Sequence, residues 1–186
     1  MQFNLHFLPL SQKRNSGRIS FIETMKKTMK EMELRRIGVV KHTKRGAVIK
    51  IDKPYIMGLK GIEGFGHINV LWWLSGCEDV QSRNSLELKQ PYRNAPETIG
   101  VFASRSPERP NPIALTASEI LDVDFERGEI LVAFIDAEDG SPVLDIKPYI
   151  PNFDRIEDPK VPQWQSGWPM SSEESANFDW SQVFNF

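Results

Sequence analysis

The chain is built from short apolar runs separated by turn residues, with hardly any stretch that keeps the 3.6-residue period of an amphipathic helix. Ile37 to Val40 and Ala47 to Ile51 flank a turn at Lys44-Arg45-Gly46 and predict a hairpin. Pro54 can open a short helix that runs through Leu59, and glycines 61, 64 and 66 then punctuate the chain. The next stretch, His67 to Ser75, puts Ile68, Val70, Trp72 and Leu74 on one face and Leu71 and Trp73 on the other. It predicts a central strand covered on both sides. Residues 76–98 are polar, carry Pro91 and Pro96, and read as a long loop. Alternation returns at Ile99 to Ser104 and from Ile113 to Asp122. Glu129 to Asp136 and Val143 to Lys147 complete the set, with turns at Phe125 to Gly128 and at Asp139-Gly140. Strands at this spacing indicate an all-β barrel or sandwich.

One connection carries more than a connection needs. Between the runs at 99–104 and 113–115 lie Arg105, Arg109 and Asn111, interleaved with Pro107, Pro110 and Pro112. The prolines fix φ and push the residues before them toward extended backbone, so such a loop loses little entropy when a ligand arrives. It is either a stiff surface loop with two solvated arginines or a preorganised pair of guanidinium forks. A PxxP peptide motif is disfavoured, because an apolar run resumes at once after Pro112. The glycines of Gly61-Ile-Glu-Gly-Phe-Gly66 read GxxGxG and precede a strand, which is not the dinucleotide-binding order.

At 186 residues and 40% hydrophobic, the chain suits one core. The lone Cys77 excludes an internal disulfide framework and reads as a small buried residue before it reads as a nucleophile. His6, His42 and His67 form no ligand spacing with it, so no metal site is expected, and no apolar run is long enough for a membrane span. The net charge of −2 conceals an imbalance. Residues 1–60 hold fourteen Lys and Arg against four Asp and Glu, and the remainder nine against twenty-one. A basic first third could face phosphates, or be a solvated arm. Residues 1–33 are expected to form an arm or helix without a secretory signal, 34–155 the β domain, and 156–186 an extension. In that extension, Trp164, Trp168, Phe178, Trp180, Phe184 and Phe186 should pack on the barrel or on a second subunit, and Ser171-x-x-Glu174 resembles a capping box.

Taken together, GIEGFGHINVLWW, GVFASRSPERPNPIAL and DGSPVLDIKPYIP resemble the TsaA/TrmO family over about residues 36–155. These are β-barrel S-adenosylmethionine-dependent methyltransferases whose characterised members methylate N6 of threonylcarbamoyladenosine beside the tRNA anticodon. The resemblance implies a mainly β fold, a single-sheeted closed barrel with short helices, and a homodimer with the cofactor near the subunit interface. It implies cofactor contacts at Arg105, at Leu115 and along the turn Ala137, Glu138, Asp139 and Gly140. The family's His-Gln or His-Glu pair falls on Ser75 and Gly76. Its long first connection, with a Pro-Arg-Gln contact, is missing, since 21 residues join Val40 to Ile62.

S-adenosylmethionine carries a sulfonium, an ammonium, a carboxylate and an adenine, and its site needs apolar walls, forked donors, an acid and backbone partners. Arg109, Asn111, Lys147 and Tyr149 are the candidate substrate contacts. Lys147 and Tyr149 offer tRNA a charge and a stacking face, or merely close the barrel. Asp145 could take a proton, or could hold Arg109 or backbone amides. No catalytic base is assigned, and His67 reads as a hydrogen-bonded core histidine. The expectation is a cytoplasmic methyltransferase with tRNA as partner and without metal or membrane. Methylation of a small molecule, or a binding module without catalysis, is the alternative.

Overall fold

In the computed structural model the described residues are 33–185, and those from Arg36 onward form one unit, to which the following applies. Six strands close a barrel in the order β1 (Gly38–Thr43), β2 (Gly46–Ile51), β7 (Glu129–Val132), β6 (Ile113–Asp124), β3 (His67–Trp73) and β8 (Pro142–Pro148). All neighbouring pairs are antiparallel. The seam that closes it, between β1 and β8, is short: Gly38 opposes Val143 and Val39 opposes Pro142. The mainly β, single-sheeted closed barrel is therefore the observed architecture; residues 1–32, where the arm or helix was expected, lie outside the described residues.

The alternation read from β3 is realised. Ile68, Val70 and Trp72 point inward and join Val40, Ile49, Ile130, Val132 and Val143 in the core, nearly all of them fully buried. Polar groups inside are satisfied: Trp72 Nε1 donates to Thr116 Oγ1 at 3.0 Å and Ser118 Oγ donates to the Phe134 carbonyl at 2.6 Å. The hairpin at 38–51 forms as expected, with Gly46 at φ +127° beside the Lys44-Arg45 tip. Lys53–Leu59 is a 3-10 helix opened by Pro54.

Three expectations about the elements are corrected. Residues 76–98 are not a plain loop, because Asp79 accepts from the Gln81 and Ser82 amides and caps a helical turn, Val80–Arg83, after which comes β4 (Glu87–Lys89). The run 99–104 is not one strand. Only β5 (Thr98–Gly100) is extended, paired with β4 outside the barrel, and Val101–Ala103 is a 3-10 turn closed by the Ser104 amide on the Val101 carbonyl. The strand from Glu129 ends at Val132, where the chain leaves the ladder toward the turn before β8.

The aromatic extension forms a second cluster with residues 88–99 and does not join the barrel core; Phe186 lies outside the described residues. Trp164, Trp168, Phe178, Trp180 and Phe184 gather around Tyr92, Ala95, Ile99 and Val183, with Tyr92 stacked on Trp164 at 5.3 Å between ring centroids. Arg93 anchors them by donating to the Ser181 and Phe184 carbonyls. The capping residue Ser171 accepts from the Glu174 amide at 3.2 Å, and Glu174 reaches back to the Met170 amide at 2.9 Å, one residue earlier than in a standard capping box.

Candidate functional site

Because β3 runs antiparallel to both β6 and β8, the end of β3, the start of β6 and the start of β8 share one rim of the barrel. Three connections emerge there: residues 74–79, 104–112 and 137–141. The first two are tied by the Leu74 amide on the Pro112 carbonyl at 2.8 Å, and Arg83 Nε, on the helical turn after the first, donates to the Pro110 carbonyl at 3.0 Å. Burial raises the Cys77 thiol pKa, and the carboxylates of Glu108, Glu78, Asp79 and Glu138 raise it further. Those four acids come from all three connections, so the rim gathers negative charge.

The two arginines of the proline-braced loop have different tasks. Arg109 is half-buried and donates through Nη2 to the Val101 and Ser104 carbonyls, both at 3.0 Å, so its fork folds the loop onto the preceding 3-10 turn. Arg105 is exposed and donates through Nη1 to the Leu115 carbonyl at 3.2 Å, which joins two of the expected cofactor contacts and leaves further donors on its fork. Asn111 is exposed on the same loop, where its carbonyl accepts from the Ile113 amide.

The turn Ala137 to Gly140 is clipped to β1. The His42 amide donates to Asp139 Oδ1 at 2.9 Å, Lys41 Nζ to Asp139 Oδ2 at 3.1 Å, and His42 Nε2 meets the Ala137 carbonyl at 2.7 Å. Gly140, at φ +88°, donates to the Val40 carbonyl. The His42 amide first, and then Lys41, hold the Asp139 carboxyl below its usual range.

At Ser75 and Gly76 the backbone turns sharply, with Gly76 at φ +87°. Glu78 straddles this turn, one carboxylate oxygen accepting from Trp73 Nε1 at 3.0 Å and the other from the Gly76 amide at 2.7 Å. These bonds lower its pKa. With that amide engaged, the Ser75 hydroxyl and the carbonyl groups of Ser75 and Gly76 are what the pair can offer a ligand. Glu78 and His42 were missed from the sequence; the signal for Glu78 would have been an acid two residues after a glycine at a strand end.

The outer face of β6, β3 and β8 continues from Leu115. One row runs Leu115, Leu71, Asp145 and the next Ala117, Asn69, Lys147. Beyond them His67 and Tyr149 meet at 6.3 Å between ring centroids, tilted by 60°. His67 is thus exposed on the outer face, not in the core, because the inward positions of β3 fall on the even-numbered residues. Asp145 does not hold Arg109: it accepts from its own neighbour's amide, Ile146, at 3.0 Å and from Lys147 Nζ at 2.6 Å. That pairing raises the Lys147 pKa.

A separate cleft of about 660 Å³ opens toward the other end of β3, between the 53–65 connection and β8, lined by Ile37, Tyr55, Leu59, Phe65 and Ile146 among others. None of the expected cofactor contacts lines it. Among the described residues no cluster of His, Cys, Asp or Glu could hold a metal ion, and no helix is long and apolar enough to cross a membrane.

Comparison with known proteins bears on the same segments. An S-adenosyl-L-methionine-binding protein of Archaeoglobus fulgidus is 47% identical over 108 residues, covering 58% of this chain and 72% of that one. A tRNA (adenine(37)-N6)-methyltransferase of Mus musculus is 38% identical over 96 residues, which is 52% of this chain and 21% of that protein. A crystal structure of TrmO matches with a TM-score of 0.55 and 24% identity over 70% of this chain and 63% of its own, and TrmO from Pseudomonas aeruginosa with 0.53 and 22% over 70% and 61%. This chain therefore spans less than two thirds of those crystallised proteins and about a fifth of the mouse enzyme, and the structural likeness speaks to the barrel. The family model described as the tRNA-methyltransferase O N-terminal domain matches residues 21–155. Since that span takes in every barrel strand and all three connections of the rim, the chain belongs to the TsaA/TrmO family.

Proposed function

We propose that the protein is an S-adenosylmethionine-dependent methyltransferase acting on tRNA, with its cofactor at the rim formed by residues 74–79, 104–112 and 137–141. The observation that carries this reading is the convergence of those segments, distant in sequence, around Arg105, Leu115 and an acidic turn. The donor set suits the ligand. An exposed guanidinium fork can take a carboxylate, and the exposed Glu138, beside the Lys41-paired Asp139, gives the ammonium and sulfonium a negative environment. Leu115, 47% exposed on the outer face, offers an apolar surface. When bound, S-adenosylmethionine supplies an electrophilic methyl group. The chain's own part is alignment and exclusion of water: positive charge leaves sulfur as the methyl moves, so acids near it favour binding more than the transition state. An acceptor N–H must lose its proton, and Asp145, occupied by Lys147, is poorly disposed to receive it.

Lys147, Tyr149 and Asn111 are proposed as tRNA contacts, since the outer face leads from Leu115 to them; Arg109 contributes by fixing the loop. A homodimer is proposed from the large apolar side chains left on the outside near the rim, Phe102, Leu115 and Phe134. The cytoplasm, where tRNA is found, is its proposed location.

Calorimetry with S-adenosylmethionine tests the cofactor: Arg105→Ala should weaken binding about 10- to 100-fold, as loss of a charged hydrogen bond does. Absence of binding to the native protein would remove the enzyme. Incubation with methyl-labelled cofactor and total tRNA, followed by digestion to nucleosides, should place label in a modified adenosine. An unlabelled tRNA pool beside a labelled metabolite would transfer the activity to a small molecule.

A further inference from the structure

The tip of the β1–β2 hairpin runs past the short seam with β8 and lies along the turn that follows β7. Val40, Lys41 and His42 together bind that turn at both ends and in the middle. The Val40 carbonyl takes the Gly140 amide at 2.8 Å, Lys41 and the His42 amide take the two oxygens of Asp139, and His42 Nε2 takes the Ala137 carbonyl at 2.7 Å. The turn lies outside the strand ladders, Gly140 is at φ +88°, and Glu138 and Asp139 are exposed. Its conformation therefore depends on what grips it. A carbonyl can only accept, so Nε2 carries the hydrogen, as it does in one neutral tautomer and in the imidazolium alike.

We propose that His42 is a positioning residue for the cofactor, holding the Ala137 carbonyl so that Ala137 to Gly140 keep the conformation that receives S-adenosylmethionine, a role that rests on reading this turn as a cofactor contact. Without the bond the turn spends part of its time elsewhere, and apparent affinity falls by the fraction that remains competent. His42 is exposed and outside the core, so its loss acts on the turn and not on the barrel.

The test uses the full chain and three proteins: native, His42→Ala and His42→Gln, whose side-chain amide can donate from a similar distance. Calorimetry with S-adenosylmethionine gives affinity, hydrogen exchange of the Gly140 and Ser141 amides without cofactor gives the order of the turn, and thermal unfolding gives global stability. His42→Ala should bind about three- to tenfold more weakly, the worth of one hydrogen bond. Its Gly140 amide should exchange faster at an unchanged unfolding midpoint, and His42→Gln should recover both affinity and protection. Equal affinity in native protein and His42→Ala overturns the role. Equal weakening in both variants with a lowered midpoint also overturns it, since the fold and not the hydrogen bond would then be at issue. A native protein that ignores the cofactor refutes the cofactor site itself, a result visible before any substitution is compared.

Discussion

Two arginines four positions apart on one loop divide the labour of holding the loop and offering it. Replacing Arg109 by Ala removes both of its carbonyl contacts, and the expected cost is about 1–3 kcal/mol, read from denaturant unfolding. Arg105→Lys should leave stability unchanged within about 0.5 kcal/mol while weakening cofactor binding, because Arg105 is exposed and lies outside the core. Asp139 behaves differently with pH. Its folded-state pKa is depressed by the His42 amide and by Lys41, so the clip is fully present above the ordinary carboxylate range and is lost as pH falls through the lowered value. A proton titration followed at the His42 amide should show that transition, and Asp139→Asn should abolish it. The loop was legible in sequence as a stiff, arginine-bearing device. Which fork would be spent internally was not, since that depends on carbonyls of Val101 and Ser104 brought round by a turn that reads as strand.

Elements read well where burial enforces alternation and badly where it does not. β3 pairs on both sides and fills the core from one face through Ile68, Val70 and Trp72, so it reads as a strand even though Leu71 and Trp73 make its other face apolar too. β5 has three residues and a partner of equal length, and nothing in Ile99 to Ser104 signals that the chain turns after Gly100. The helical turn after Asp79 was within reach, because an aspartate with two backbone amides to cap is an ordinary start signal. Packing between β1 and β2 gives a sharp prediction. A Cβ on Gly38 would lie 2.3 Å from the Lys50 carbonyl oxygen and 3.1 Å from Ile51 Cα, both backbone, so Gly38→Ala should destabilise by about 1–3 kcal/mol and push the strands apart. Ile130→Ala, in the fully buried middle of the core, should cost about 2–5 kcal/mol in the same unfolding measurement.

On the scale of the molecule, the aromatic residues of the C-terminal segment were legible as something that must be buried, but their partner lay in a stretch that reads as loop. Tyr92 is the centre of that second cluster, touching Trp164, Trp168 and Phe184. Tyr92→Ala should therefore loosen the cluster by about 3–5 kcal/mol and shift tryptophan emission to the red, while the barrel's own transition persists. The barrel has its own thin place. β1 and β8 meet over two residue pairs, one of them with Pro142, which has no amide to give. A cylinder joined so narrowly breathes there first, and Ser141, whose carbonyl takes the Val40 amide, sits between that join and the turn proposed for the cofactor. Closure and occupancy are then reciprocal: a ligand that selects the joined form tightens the cylinder, and any change that splits it lowers affinity from a distance by the same factor.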